Sequence, residues 1–124
     1  MSRANTGAKR RAEAAGRRGE MLAGLILSLK GFTIIARRFK APGGEIDLVA
    51  KRGRLLIFVE VKARASLDDA LDAVGYANQR RVSDAASMFL AHNPRLAQCD
   101  MRYDIVAVSG WRWRHITSAW LDDD

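Results

Sequence analysis

The spacing of hydrophobic residues predicts two helices and five strands. Apolar residues recur with a period near 3.6 over residues 9–30 and 76–92, which is typical of helices that bury one face. The order α-β-β-β-α-β-β favours an α/β fold (α+β mixed sheet), with a central sheet flanked by helices. The strands are expected where β-branched and aromatic residues cluster between Gly and Pro, at residues 32–39, 43–64 (a hairpin), 99–109 and 111–118.

The hairpin over residues 43–64 carries charged side chains within strands that are otherwise apolar. If Arg52 and Gly53 form a two-residue turn, Asp47 lies opposite Phe58, and Glu60 is its diagonal neighbour at about 7–8 Å between backbones. Charges are costly to bury unless they are paired or bound to a metal, so two converging carboxylates indicate a divalent cation. Alternation collects Glu45, Asp47, Phe58, Glu60 and Lys62 on one face, and Ile46, Leu48, Ile57, Val59 and Val61 on the other.

Two helical residues bear on this hypothesis, although periodicity does not decide their roles. Gln79 shares the inner stripe of its helix with Val82, so its amide faces either a polar site or a nearby backbone group. Glu20 lies opposite the leucine stripe of its own helix, as a solvated residue would. That helix is apolar on most faces, however, and the orientation of Glu20 stays open.

The charge distribution indicates a polyanionic partner. The 124 residues carry a net charge of +7, of which residues 1–18 contribute +5. This segment is expected to be a flexible basic arm, followed by a single domain at 19–121 and an acidic tail at 122–124. A basic protein with a basic arm most often binds nucleic acid, and a solvated tail that aids solubility is the alternative.

The cysteine count and the hydropathy pattern favour a cytoplasmic protein. Cys99 is the only cysteine, so an internal disulfide is excluded. No apolar run has the length of a membrane span, and the N-terminus lacks the pattern of a secretory signal.

The last two strands hold further polar and aromatic residues. Trp111 and Trp113 share one strand face with His115, and core packing is favoured over an exposed interaction patch, which would make the chain an interaction module. His115 is too isolated in the sequence to predict a metal ligand. Asp104 is expected to have a structural or supporting role.

Six sequence blocks resemble the YraN family of small bacterial proteins. They are GRRGEMLA (16–23), GF (31–32), GGEIDLVA (43–50), FVEVKAR (58–64), QRR (79–81) and YDIVAV (103–108). The resemblance covers nearly the whole chain after the basic segment. It implies a restriction endonuclease-like, PD-(D/E)XK core that is similar to Holliday-junction resolvases.

The resemblance also implies roles for individual residues. Asp47 matches the metal-binding Asp, and Glu60 and Lys62 match the Glu-x-Lys pair. Glu20 matches an acidic residue that turns towards the metal, and Gln79 matches a polar residue on the helix that follows. The segment before Gln79 departs from the pattern, because it reads AVGYAN where relatives often have a Thr/Ser-Pro helix start, and Ser83 stands where some relatives of the wider superfamily carry Tyr.

Metal-dependent hydrolysis of DNA phosphodiester bonds is the leading functional hypothesis. Mg²⁺, with Mn²⁺ as a substitute, would be bound by Asp47, Glu60 and Glu20. Lys62 would orient the attacking water or stabilise the developing charge, unless it serves as a structural ion-pair partner of Glu60 or Glu45. The alternative function is a nucleic-acid-binding protein with a vestigial site, and a homodimer is expected from the resolvase-like relatives.

Overall fold

The described residues form three α-helices and one five-stranded sheet. The computed structural model describes residues 3–73 and 75–121, with the backbone alone at 3–6, 76 and 77. A 3₁₀ turn at Pro94–Gln98 joins the last helix to the last two strands. In chain order the elements are α1 (Arg3–Leu29), β1 (Thr33–Ala41), β2 (Gly44–Arg52), β3 (Leu55–Ala63), α2 (Leu67–Asp72), α3 (Tyr76–His92), β4 (Asp100–Ser109) and β5 (Arg112–Trp120).

The sheet follows the order of the chain, β1-β2-β3-β4-β5. Its neighbouring strands are antiparallel except β3 and β4, which are parallel and are joined through α2 and α3. A parallel pair requires such a crossover, because the chain must return to the starting edge before it can run in the same direction again. The expected mixed sheet with helices is therefore confirmed, while the restriction endonuclease-like arrangement stays a prediction.

The sheet is covered by α1 on one face and by α3 on the other. Consecutive residues of β3 enter different cores, which explains why its sequence LLIFV is apolar without interruption. The α1 core includes Ala23, Ile26, Leu27, Leu48, Ala50, Ile57, Val59 and Val106. The α3 core includes Ile46, Val49, Leu56, Phe58, Val82, Ala85, Ala86, Phe89 and Tyr103.

Strand β2 begins so close to α3 that glycine is required at Gly44. A Cβ atom at this position would overlap the backbone carbonyl of Arg81. Backbone cannot move aside as a flexible side chain can, so this contact fixes the start of β2 against α3. Asp47 follows three residues later and is positioned from this fixed point.

Helix α1 extends further towards the N-terminus than its hydrophobic pattern predicted. The backbone is helical from Arg3, so the described part of the basic segment is continuous with the turns that pack on the sheet. Close packing begins at Gly19, whose Cβ position would touch Ala63. The flexibility of the segment stays a prediction. None of the helices in the described part of the chain combines the length and the hydropathy needed to cross a bilayer.

Candidate active site

The β2–β3 hairpin closes two residues away from the predicted register. Arg52 pairs with Leu55, so the turn residues are Gly53 and Arg54, and Gly53 has a φ of 59°. A glycine with positive φ suits the first position of a two-residue turn, which is why the predicted turn was wrong. Phe58 therefore lies opposite Val49 and not opposite Asp47. The shift is even, so the predicted faces of β3 are preserved.

Asp47 marks the place where β2 separates from β3. The strand pairing ends at Leu48 and Val59, and the backbone N–H of Val61 donates to Asp47 Oδ2 at 2.7 Å. The Asp47 carboxylate thus accepts the bond that a backbone carbonyl of β2 would accept if the pairing of β2 with β3 continued. Regular alternation is interrupted here, because Ile46 packs in the α3 core while Leu48 packs in the α1 core with Val59. The face predicted for Ile46 was wrong for this reason.

Asp47 and Glu60 form a carboxyl pair at this opening, in which Glu60 is buried and Asp47 is half-buried. Glu60 is only 9% exposed, lies within hydrogen-bonding reach of Asp47, and accepts a bond from Lys62 Nζ at 3.2 Å. Burial raises the pKa of Asp47 to about 7, the Glu60 carboxylate adds to the rise, and the Val61 N–H opposes it. Burial also raises the pKa of Glu60, against the opposing charge of Lys62. The pair therefore resists carrying two negative charges near neutral pH.

The carboxyl pair has the donor chemistry that a hard divalent cation requires. Two close carboxylates that repel each other are stabilised by a cation, and Mg²⁺ commonly uses one or two carboxylates together with water and phosphate oxygens. Within residues 3–73 and 75–121, no group of three or more His, Cys, Asp or Glu side chains is arranged to hold a metal. Metal binding by Asp47 and Glu60 stays a prediction.

Glu20 lies beside the pair but is bound by a cation of the chain itself. Its Oε2 accepts a bond from Arg38 Nε at 2.8 Å, and its charge contributes to the raised pKa of Asp47. Gly24, one turn later on α1, faces Arg37 of β1, so this side of the helix faces the sheet edge. The orientation that periodicity left open is thus decided, and the ligand role of Glu20 stays a prediction.

Sequence reasoning missed Arg38, which neutralises Glu20. Arg38 has a φ of 52°, in the left-handed region that is unusual for a residue with a side chain. The pairing between β1 and β2 passes from Arg37–Leu48 to Phe39–Ile46, so the irregular residue lies across from Asp47. A basic residue in a strand carries no signal of this conformation in the sequence.

Lys62 and Gln79 differ in how closely they approach the carboxyl pair. Lys62 is mostly buried and forms an ion pair with Glu60. This is the pairing expected if Lys62 has a structural role. Gln79 is half-buried near the start of α3, and no contact within the described part of the chain joins its amide to Asp47 or Glu60. Its catalytic role stays a prediction.

A second buried charge cluster lies on β4 and β5. Asp104 is fully buried and accepts two bonds of 2.8 Å from Arg102 and one of 3.1 Å from the Ser118 N–H. His115 Nε2 lies 2.8 Å from Asp104 Oδ2, and Lys30 Nζ lies 2.8 Å from His115 Nδ1. Because an ammonium only donates, Nδ1 accepts and Nε2 donates to Asp104. Burial would raise the pKa of Asp104, but the bonds from His115, Arg102 and Ser118 hold it below the usual value.

Two of the three tryptophans lie outside the core, contrary to prediction. Trp111 is 89% exposed and Trp113 is 44% exposed, because they lie at the β4–β5 turn and on β5, at the edge of the sheet. Trp120, in contrast, stacks on Tyr103 with ring centroids 5.1 Å apart. The side chains of Trp111 and Trp113 are therefore at the surface, as the alternative to core packing required.

The raised pKa of Asp47 predicts that the stability of the protein against unfolding depends on pH. A carboxyl group whose folded-state pKa lies above its unfolded value of 3.8 stabilises the fold at low pH, and this stability is lost as the pH rises to about 7. The free energy of unfolding of Asp47→Asn should therefore exceed that of wild type at pH 8 by about 1–3 kcal/mol, after allowance for the partial exposure of Asp47. At pH 4 the two free energies should be similar. Thermal unfolding from pH 4 to 8 with EDTA measures this, with the exposed Glu45→Gln as control. Parallel curves for wild type and Asp47→Asn would contradict the assignment.

Comparisons with known proteins identify relatives over most of the chain. A family model described as uncharacterised protein family UPF0102 matches residues 19–108. A UPF0102 protein of Chelativorans sp. (strain BNC1) is 50% identical over 105 residues, which covers 85% of each chain. Another, of Mesorhizobium japonicum, is 44% identical over 120 residues and 96% of each chain. A third, of Methylorubrum extorquens, is 50% identical over 118 residues, 94% of this chain and 92% of the relative.

Proposed function

We propose that this chain, which belongs to the uncharacterised protein family UPF0102, is a metal-dependent nuclease that hydrolyses phosphodiester bonds of DNA. The observation that carries the proposal is the close pair of the half-buried Asp47 and the buried Glu60, with Lys62 bonded to Glu60. The resemblance of the same residues to the YraN family and to PD-(D/E)XK nucleases supports it independently.

The chain supplies a rigid arrangement of charges for this chemistry. The Val61 N–H fixes one oxygen of Asp47, and Lys62 fixes Glu60, so neither carboxylate has to be ordered when substrate binds. A Mg²⁺ ion bound by Asp47 and Glu60 would polarise the scissile phosphate and lower the pKa of a water molecule. Lys62 would then stabilise the negative charge that develops on the phosphoryl oxygens.

Basic residues around the carboxyl pair favour the approach of a phosphate backbone. Residues 30–64 contain nine Lys or Arg and three acidic residues. Arg38 offsets the charge of Glu20 through their bond of 2.8 Å, which reduces repulsion between α1 and an incoming phosphate. Of these basic residues, Arg38 lies across from Asp47 and Lys62 bonds Glu60, so positive charge stands beside the carboxylates where an incoming phosphate would meet it.

The decisive experiment is a cleavage assay with the full chain on DNA of different structures. Four-way junctions, flaps, single strands and linear duplexes are incubated with Mg²⁺, Mn²⁺ or EDTA. We expect metal-dependent nicking that is absent with EDTA and abolished by Asp47→Asn in the same preparation. Cleavage that persists undiminished in Asp47→Asn and in Lys62→Ala would overturn the assignment of the site.

A nucleic-acid-binding protein with a non-catalytic site is the second candidate. It is favoured by one observation, the absence of a third metal-ligating side chain beside Asp47 and Glu60 in the described residues. Binding would then depend steeply on salt through released counterions and would not require metal. Calorimetry that finds no Mg²⁺ or Mn²⁺ binding while DNA affinity is intact would favour this candidate over the nuclease.

A further inference from the structure

The edge strand β5 presents an alternation of aromatic and basic residues that the carboxyl site does not use. Trp111 lies in the β4–β5 turn and Trp113 on β5, and they are 89% and 44% exposed. A contiguous exposed apolar surface often marks a binding site. Met21 and Leu25 of α1 are also exposed and line a groove together with Trp111.

A groove next to Trp111 adds a concave apolar surface with a basic rim. Its volume is about 750 Å³, and its apolar wall includes Leu22, Leu25 and Val108. Arg18 and Arg64 supply guanidinium groups to the same groove. A cavity of this size accommodates a small organic ligand, and the combination of a flat aromatic wall with guanidinium groups suits a ligand that has an aromatic part and an anionic part.

Lys30 is fixed beside the second tryptophan by the buried charge cluster. Its Nζ lies 5.3 Å from the centroid of the Trp113 ring and 2.8 Å from His115 Nδ1, and His115 is in turn bonded to Asp104. A lysine in solution is mobile, whereas this ammonium has two partners that hold it over an aromatic face. An aromatic ring beside a fixed cation is the arrangement that binds an unpaired base together with its phosphate.

We propose that this surface, formed by Trp111, Trp113, Lys30, Arg18 and Arg64, binds unpaired nucleotides of a nucleic acid strand. Bases stack on the two tryptophans, and phosphates contact the three cations. The proposal rests on the proposed function in that it takes nucleic acid as the partner, but it does not require cleavage.

Charge complementarity favours nucleic acid over a second copy of the chain. The net charge is +7, and a two-fold contact through this surface would bring the three cations towards their own copies. Paired bases inside a duplex expose only their edges, so a duplex cannot use the tryptophan faces in this way. An unpaired strand satisfies both the aromatic and the basic parts of the surface.

The surface adjoins the carboxyl site along two elements. Gly19, which lines the groove, precedes Glu20 on α1, and Ala63, which also lines it, follows Lys62 on β3. The two sites are therefore built on the same elements, but the side chains of Ala63 and Lys62 point to opposite faces of β3 because they are consecutive in the strand. The inferred ligand class is nucleic acid with an unpaired region.

Binding is tested with the full chain in EDTA, so that cleavage plays no part. Anisotropy of a labelled twelve-residue oligo(dT) and of a labelled duplex of equal length gives the two affinities. We expect Trp111→Ala and Trp113→Ala each to weaken oligo(dT) binding about tenfold, as loss of one stacked base does, and to leave duplex binding within about twofold. Trp120→Phe is the matched control, since Trp120 stacks on Tyr103 and should not affect either affinity.

The other outcomes separate this inference from the proposed function. Unchanged oligo(dT) affinity in the Trp111→Ala/Trp113→Ala double variant, or equal losses for both DNA forms, overturns the surface while the nuclease proposal stands. The assignment of the surface to nucleic acid is also overturned if the double variant keeps its oligo(dT) affinity but loses binding to anionic phospholipid vesicles. The same holds if it keeps that affinity but loses self-association in sedimentation. Failure of the wild-type chain to bind any DNA overturns the proposed function itself.

Discussion

Replacing Asp47 with Asn is expected to lower the rate of metal-dependent DNA cleavage by about a thousandfold while the fold is retained. The amide oxygen of Asn can still accept the bond from the Val61 N–H, which is 2.7 Å from Asp47 Oδ2. The negative charge that would hold a cation next to Glu60 is lost, together with its stabilisation of the reaction, which is worth factors of about 10²–10³ for a single group. Lys62→Met, which removes a charge from the same opening, is expected to cost about a hundredfold.

One neighbouring variant and one binding measurement control for non-specific effects. Glu45→Gln removes a carboxylate two residues away on the same strand, where it is exposed, and should leave the cleavage rate unchanged. DNA affinity of Asp47→Asn without metal should be unchanged or tighter, since one negative charge near the phosphates is removed. Single-turnover cleavage and anisotropy give the two quantities. If Glu45→Gln and Asp47→Asn are equally impaired, the carboxyl pair is not the site of the reaction.

The alternation within β3 could be predicted because it depends only on the parity of positions. An error of two residues in the turn moved the partner of Asp47 from Phe58 but left Glu60 and Lys62 on their predicted face. The shared face of Glu60 and Lys62 was therefore predicted correctly, although the diagonal pairing from which the proximity of Asp47 to Glu60 was argued was wrong. The break at Asp47, where its carboxylate accepts from the Val61 N–H, was not predicted, because alternation assumes an uninterrupted strand pair.

The features that sequence reasoning missed all depend on contacts between distant residues. Arg38 reaches Glu20 across 18 positions, and Lys30 reaches His115 across 85. Periodicity describes neighbours on one element and carries no information on such pairs. The tryptophans show the same limit, because alternation placed both on one strand face, whereas Trp111 lies in the β4–β5 turn and Trp113 on the strand at the edge of the sheet, where both are exposed.

Asp104→Asn is expected to destabilise the protein by about 3–5 kcal/mol, which lowers the melting temperature by roughly 10–15 °C. The fully buried Asp104 accepts bonds from Arg102, from His115 and from the Ser118 N–H. Asn offers one acceptor and introduces two N–H donors among groups that are themselves donors. The charge of Arg102 would lose its partner, and an unpaired buried polar group costs more than its bond contributes.

The pH dependence shows whether the charge of Asp104 accounts for this loss of stability. The folded-state pKa of Asp104 lies below 3.8, so its contribution to stability is present above pH 3.8 and is lost as the pH falls towards the lowered value. The difference in unfolding free energy between wild type and Asp104→Asn should therefore be largest at neutral pH and decrease below pH 4. Asp100→Asn, an exposed carboxylate at the start of the same strand, should be nearly neutral at every pH. Asp and Asn have nearly the same size, so a difference that is constant from pH 3 to 8 would show that the N–H donors of the amide, and not the loss of the charge, account for the destabilisation.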